Sequence, residues 1–260
     1  MKKLMTYYDK GQGFPIILGH SYLFSKSMWA PQIEALSSDY RVIIPDLWGH
    51  GDSPRLPETC TSLTALAEDH YELMQRLGIN EFAIVGLSVG GMWGAELAYR
   101  YPKAVKALVL MDTDLGAEPA ETHEVYFRNL DTIVRLGKIP PEMCEYLVSL
   151  FYTQNADTLR KDLYQSLCKL PTAVLRESIV PLGRIIFGRQ DRLSILREIA
   201  CPSLVMTGEY DIPRPPAEGV RLAHRLGCQH ITIPKAAHIS NVENPLVVNQ
   251  HLRSFFAENI

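Results

Sequence analysis

The sequence predicts an α/β protein: a mostly parallel, doubly wound sheet with a helical insertion over one end. Three observations carry this. Short apolar runs recur along the chain, and most are continuous rather than alternating, as strands covered on both faces require. Helical patterns fall between them, which implies right-handed crossovers joining parallel strands. The alternation stops between about Leu115 and Arg197 and then resumes.

In chain order, "FPIIL" (14–18), "RVIIP" (41–45), "FAIVG" (82–86), "ALVLM" (107–111), "SLVMT" (203–207) and "HITIP" (230–234) read as strands. Between the second and third, Leu63, Leu66, Ala67, Leu73, Met74 and Leu77 fall on one helical face, and Gly78 suits its C-terminal stop. Residues 90–100 and 246–257 carry the same periodicity. The segment 115–197 holds Pro119, the pair Pro140–Pro141 and the helical spacing Leu159, Leu163, Leu167, but no strong strand. We expect a core of residues 1–114 and 198–260 with residues 115–197 as a helical cap. Some of Leu130, Ile133, Leu147, Leu150, Phe151 and Tyr152 should line a pocket beneath it.

Composition narrows the function classes. The 260 residues suit one large α/β domain, and 47% hydrophobic content is ordinary for a globular protein. A net charge of −3 gives no basic balance for nucleic acid. No apolar run approaches the ~20 residues of a membrane span. The start "MKKLMTYYDKGQGF" has lysines without an apolar stretch behind them, so no signal peptide is expected. The five cysteines are scattered without a C-x-x-C pair, which argues against a disulfide framework or zinc site and for reduced, buried thiols in a cytoplasmic protein.

The chemistry gathers around "GLSVG" at 86–90, which follows a strand and precedes a helix. That context makes Ser88 a nucleophile candidate on a sharp turn. A Cβ at Gly86 or Gly90 should clash there, and the helix start places backbone amides beside the serine. Serine at its ordinary pKa needs a base. His238, in "PKAAHISNVENP", lies between the last predicted strand and the last helix. An acid must orient that imidazole. Asp211 in "LVMTGEYDIP" is placed for this, with Asp112 and Asp114 after "ALVLM" as alternatives. Ser21, in "ILGHSYLF", looks like a second nucleophile, but position 23 is Leu rather than Gly and a long loop follows.

With these pieces in place the chain resembles the α/β-hydrolase superfamily along nearly its whole length. The matching stretches are "LGHSYLFSKSMW", "YRVIIPDLWGHGDS", "VGLSVGG", "LVMTGEYD" and "AAHISNVENP". It is most similar to small bacterial carboxylesterases and 3-oxoadipate enol-lactonase-like enzymes. The resemblance implies hydrolysis of a small-molecule ester or lactone without a cofactor. It also implies an oxyanion hole from the backbone N–H groups of Tyr22 and Val89. In the family the first loop reads His-Gly; here His20 takes the His place and Ser21 the Gly place, and a positive φ at Ser21 would strain it. Its hydroxyl could instead brace the loop or touch the oxyanion. Asp46, His50 and Asp52 in "DLWGHGDSP" fall on a loop that is structural in the family, so no metal is expected there. Trp29, Trp48 and Trp93 are expected in the core.

Rival readings share this frame. Haloalkane dehalogenases and epoxide hydrolases use an Asp nucleophile, which Ser88 argues against. Carbon–carbon bond hydrolases and cofactor-free haloperoxidases use serine and stay open. A small-molecule receptor using the same pocket is a different class of answer.

Overall fold

The computed structural model of the protein describes residues 3–260. Seven strands form one sheet among the described residues: β1 (Tyr7–Lys10), β2 (Phe14–Gly19), β3 (Tyr40–Pro45), β4 (Phe82–Leu87), β5 (Val105–Met111), β6 (Ser203–Gly208) and β7 (Gln229–Ile233). Their order is β1-β3-β2-β4-β5-β6-β7. Every pair is parallel except β1 with β3. The chain therefore reverses its winding at β2–β4, a switch point outside whose carboxyl strand ends such sheets place ligands. All six predicted strands are present. β1 was not predicted, for a physical reason: all four of its residues are exposed, so it carries no apolar run.

Helices α1 (Ala30–Leu36), α2 (Leu63–Arg76) and α3 (Val89–Arg100) alternate with the first strands. Between β5 and β6 the described chain is helical: α4 (Ala120–Leu136), α5 (Pro141–Phe151), α6 (Asp157–Cys168), α7 (Thr172–Val174), a π-helical turn over Leu175–Ile179, and α8 (Val180–Phe187). The fold closes with α9 (Pro216–Leu226), α10 (Ser240–Glu243) and α11 (Pro245–Asn259).

The predicted face of α2 is buried at Leu66, Ala67, Leu73 and Met74, and Gly78 stops the helix with φ +70°. The same face also carries Asp69, which accepts a hydrogen bond from Trp48 Nε1 at 2.8 Å, and His70, stacked on Trp93 at 3.9 Å. Trp29, Trp48 and Trp93 are buried in the core as expected. The expectation for the thiols needs correcting: Cys60 and Cys144 are buried, Cys201 and Cys228 are half-buried, and Cys168 is exposed. Cys168 ends α6 on the outer side, where its Sγ lies 3.7 Å from that of Cys144. No helix among the described residues is long and apolar enough to cross a membrane.

Candidate active site

Ser88 sits between β4 and α3 with φ 56° and ψ −119°, a backbone conformation that costs a non-glycine residue energy and persists only when its surroundings fix it. They do. Its amide donates to Met111 O at 2.9 Å, and its carbonyl accepts from Thr113 Oγ1 at 2.7 Å. The turn is as tight as the sequence demanded. A Cβ on Gly86 would lie 2.2 Å from Gly90 O, and one on Gly90 would lie 2.2 Å from Gly19 O.

His238 follows β7 and is buried. Its Nδ1 lies 3.1 and 3.0 Å from the two carboxylate oxygens of Asp211, which itself follows β6. Nδ1–H thus donates to the carboxylate, leaving Nε2 free to act as a base. Asp211 Oδ1 also accepts from the Arg214 amide at 2.9 Å. Phe151 lies across the imidazole at 5.5 Å. Ser88 and His238 line one cavity of about 90 Å³, together with Ser21, Tyr22 and Leu23. No hydrogen bond joins Ser88 to His238 in this resting geometry among the described residues, and such contacts commonly tighten when substrate arrives.

The amides of Tyr22 and Val89 donate to no acceptor among the described residues. Val89 opens α3, where the first N–H groups have no partner within the helix. Tyr22 is held by a hydrogen bond from its hydroxyl to Ile179 O in the π-helical turn, at 2.8 Å. The loop that carries it is pinned by two histidines. His20 Nε2 accepts from the Leu47 amide at 2.8 Å, so its Nδ1–H donates to Ser21 O at 2.8 Å. His50 Nε2 accepts from the Leu23 amide at 3.1 Å, and its Nδ1–H donates to Trp48 O at 3.0 Å. Burial pushes His20 down to about 4 and His50 down to about 3, so both are neutral and can accept.

The backbone strain expected at Ser21 falls elsewhere. Ser21 is not among the residues with positive φ; Leu23, two residues on, has φ 70° and is the one His50 braces. Ser21 Oγ is buried without a hydrogen-bond partner among the described residues, so it does not brace the loop. In "DLWGHGDSP", Asp46 accepts from the Lys26 amide at 2.7 Å and from Lys26 Nζ at 2.5 Å, and Asp52 pairs with the same Nζ at 2.6 Å. These groups serve the loop with protein donors.

Of the apolar residues singled out between β5 and β6, Leu130, Ile133, Leu147, Leu150 and Phe151 line the cavity, whereas Tyr152 lines a separate cleft. That cleft is larger, about 880 Å³, and shares Leu23 with the cavity, but it contains neither Ser88 nor His238. The chemistry therefore assigns the site to the smaller space. Two charged residues reach its wall: Glu118 and Arg214. Glu118 is ion-paired with Arg214 and, at 2.6 Å, with Arg189, all three buried. Among the alternative acids, Asp114 points away to Arg221 at 2.9 Å. Asp112 does not hydrogen-bond to His238 but lies behind Asp211.

Sequence reasoning missed the residues that hold this arrangement. Glu243 accepts from the Ala237 amide at 2.6 Å and from the Thr153 amide and hydroxyl at 2.9 and 2.7 Å, tying the histidine loop to the end of α5. Asn241 Nδ2 donates to Met28 O at 2.9 Å, joining that loop to the segment after Tyr22. The only signal for them was their place in "AAHISNVENP".

The chain matches the sequence profile described as the α/β-hydrolase fold over residues 15–245. Among curated proteins, it is 28% identical to one from Rhizobium rhizogenes named "Putative carbamate hydrolase RutD", over 95% of this chain and 94% of that one. It is 24% identical to 3-oxoadipate enol-lactonase 1 of Acinetobacter baylyi, over 88% of this chain and 84% of that one. Among solved structures, a thermophilic esterase from Thermogutta terrifontis superposes with a TM-score of 0.87 at 27% identity, covering 98% of this chain and 93% of that one.

Proposed function

The chain belongs to the α/β-hydrolase fold family, and on that premise we propose that it is a serine hydrolase cleaving small carboxylic esters or lactones through an acyl-enzyme on Ser88. One observation carries the reading. A strained serine, a histidine oriented by a buried carboxylate, and Tyr22 with its unpaired amide line one apolar cavity, and the unpaired Val89 amide directly follows that serine. Each covers a separate need of acyl transfer.

In the first half-reaction His238 Nε2 takes the proton as Ser88 Oγ attacks the acyl carbonyl. Charge moves onto the carbonyl oxygen, where the Tyr22 and Val89 amides receive it. One such preorganised donor is worth ~10²–10³ in turnover. His238 then protonates the departing alkoxide, and water activated by the same nitrogen releases the acid. Asp211 remains ionised and steadies the imidazolium. We read residues 115–197 as a cap whose apolar side chains shape the pocket. The cavity volume, far below the ~300–1,000 Å³ of sites for drug-sized ligands, favours a short acyl group.

Purified protein assayed against p-nitrophenyl esters of rising chain length, several lactones and small carbamates tests this. The expectation is turnover that is fastest with short acyl chains and that falls by several orders of magnitude in Ser88→Ala. Full activity in that variant would reject the assignment.

A further inference from the structure

The segment Met111–Asp112–Thr113, at the end of β5, reaches the backbone of Ser88 and the roots of the loops that carry Asp211 and His238. Met111 O and Thr113 Oγ1 hold the backbone of Ser88. Asp112 lies between them with no exposed surface and φ 46°, strain that a side chain accepts only where the fold fixes it. Its Oδ1 accepts from the Gly208 amide at 2.7 Å, at the root of the loop that carries Asp211. Its Oδ2 accepts from Ser240 Oγ at 2.5 Å, two residues beyond His238. One carboxyl group therefore fixes the roots of both the acid loop and the histidine loop. The Asp211 carboxyl is its charged neighbour.

The titratable groups facing Asp112 are Asp211, on the loop after β6, and His238 beyond it. No cation pairs with Asp112 among the described residues. Two carboxylates in contact cannot both ionise in a buried site. Asp211 is the one facing the imidazole, so the proton belongs on Asp112. A protonated Asp112 keeps both of its bonds: one oxygen accepts from Gly208 and the other from Ser240.

We propose that Asp112, in its neutral form, is a positioning residue that ties the loop of Asp211 to the loop of His238 and so sets the spacing between these two side chains. The inference rests on the serine-hydrolase reading for its effect on turnover, though not for its effect on stability. Burial and the neighbouring Asp211 push Asp112 well above its ordinary value near 3.8, in agreement with a neutral side chain.

Asparagine reproduces the neutral acid, with its oxygen towards Gly208 and its N–H groups towards Ser240, whose hydroxyl can turn to accept. Asp112→Ala should lower kcat by about 10- to 100-fold with little change in KM, as a displaced catalytic group does. Asp112→Asn should recover most of that loss. If Asn is as impaired as Ala, an ionised Asp112 is required and the proposal fails; if Ala turns over like the natural protein, Asp112 positions nothing. Should the Ala variant not fold, Ser240→Ala removes one anchor alone, and kcat should drop about five-fold, the worth of one hydrogen bond. An unchanged kcat there overturns the proposal.

Stability gives a readout independent of catalysis. A carboxyl kept neutral in the folded state and ionised in the unfolded state stabilises less and less as pH rises above its unfolded value. Asparagine carries no such cost. The melting temperature of Asp112→Asn relative to the natural protein should therefore climb between about pH 4 and pH 7. A flat or falling difference overturns the neutral assignment. Ser88→Ala run alongside separates the two claims: activity there sinks the hydrolase reading, and the melting series still decides Asp112.

Discussion

Ser21 lines the cavity that holds Ser88 and His238, and its buried hydroxyl has nothing to bond among the described residues. Burying such a group without a partner costs ~1–3 kcal/mol. Ser21→Ala is therefore expected to raise the urea midpoint or leave it unchanged. If turnover in that variant is also unchanged, the hydroxyl plays no part at the oxyanion; a lower turnover with higher stability would show that it does. The strained turn at Ser88 was legible in the sequence because "GLSVG" encodes a purely local geometry, in which Gly86 and Gly90 are the residues a Cβ would drive into backbone. The role of Asp112 was not legible. Its bonds to Gly208 and Ser240 span 96 and 128 residues, and no spacing rule reaches that far.

At the scale of elements, the question is what keeps the helices between β5 and β6 in register with the site. Two linkers enter and leave that segment, and each supplies one partner of a buried ion cluster. Glu118, just before α4, meets Arg189, just after α8, and Arg214 on the acid loop completes the set. Glu118→Gln leaves the buried Arg189 without its ion-pair partner and Arg214 with Glu218 alone, at 3.4 Å, and breaking a buried pair in this way costs ~3–5 kcal/mol. Chemical denaturation of that variant should show the loss; a change within ~0.5 kcal/mol would mean the cluster contributes no net stability. The π-helical turn over Leu175–Ile179 is a second tie: Tyr22 Oη donates to Ile179 O there, and the Leu56 amide donates to Ser178 Oγ at 3.0 Å. Helical periodicity reveals that helices exist in this region but not that one turn widens. Strands were the easier elements to read. Those buried in the middle of the sheet are continuous apolar runs, whereas β1 is held by antiparallel pairing to β3 with four exposed side chains.

Over the whole molecule, three histidines besides His238 are buried among the described residues. Burial pushes His20 down to about 4, His50 down to about 3 and His70 down to about 4. In the unfolded chain they bind protons near pH ~6.5. The unfolded state thus takes up more protons below that value, and stability is complete above it. As pH falls from about 6.5 towards 4, each histidine withdraws up to ~1.4 kcal/mol per pH unit. Asp112 acts in the opposite sense, and the three histidines outnumber it. Urea midpoints measured at pH 7.5, 6 and 5 should decrease in that order; a constant midpoint would contradict buried neutral histidines. Since His20 and His50 also pin the Tyr22 loop, activity should fail along with stability on the acid side. The central claim, that Ser88 forms the covalent intermediate with its acid and base beside it, has a more direct test. The protein is treated with a fluorophosphonate, digested, and the modified peptide located by mass spectrometry. The account predicts one adduct per chain, on Ser88, absent from Ser88→Ala and strongly slowed in His238→Ala. An adduct on Ser21, or none on a folded protein, would contradict it.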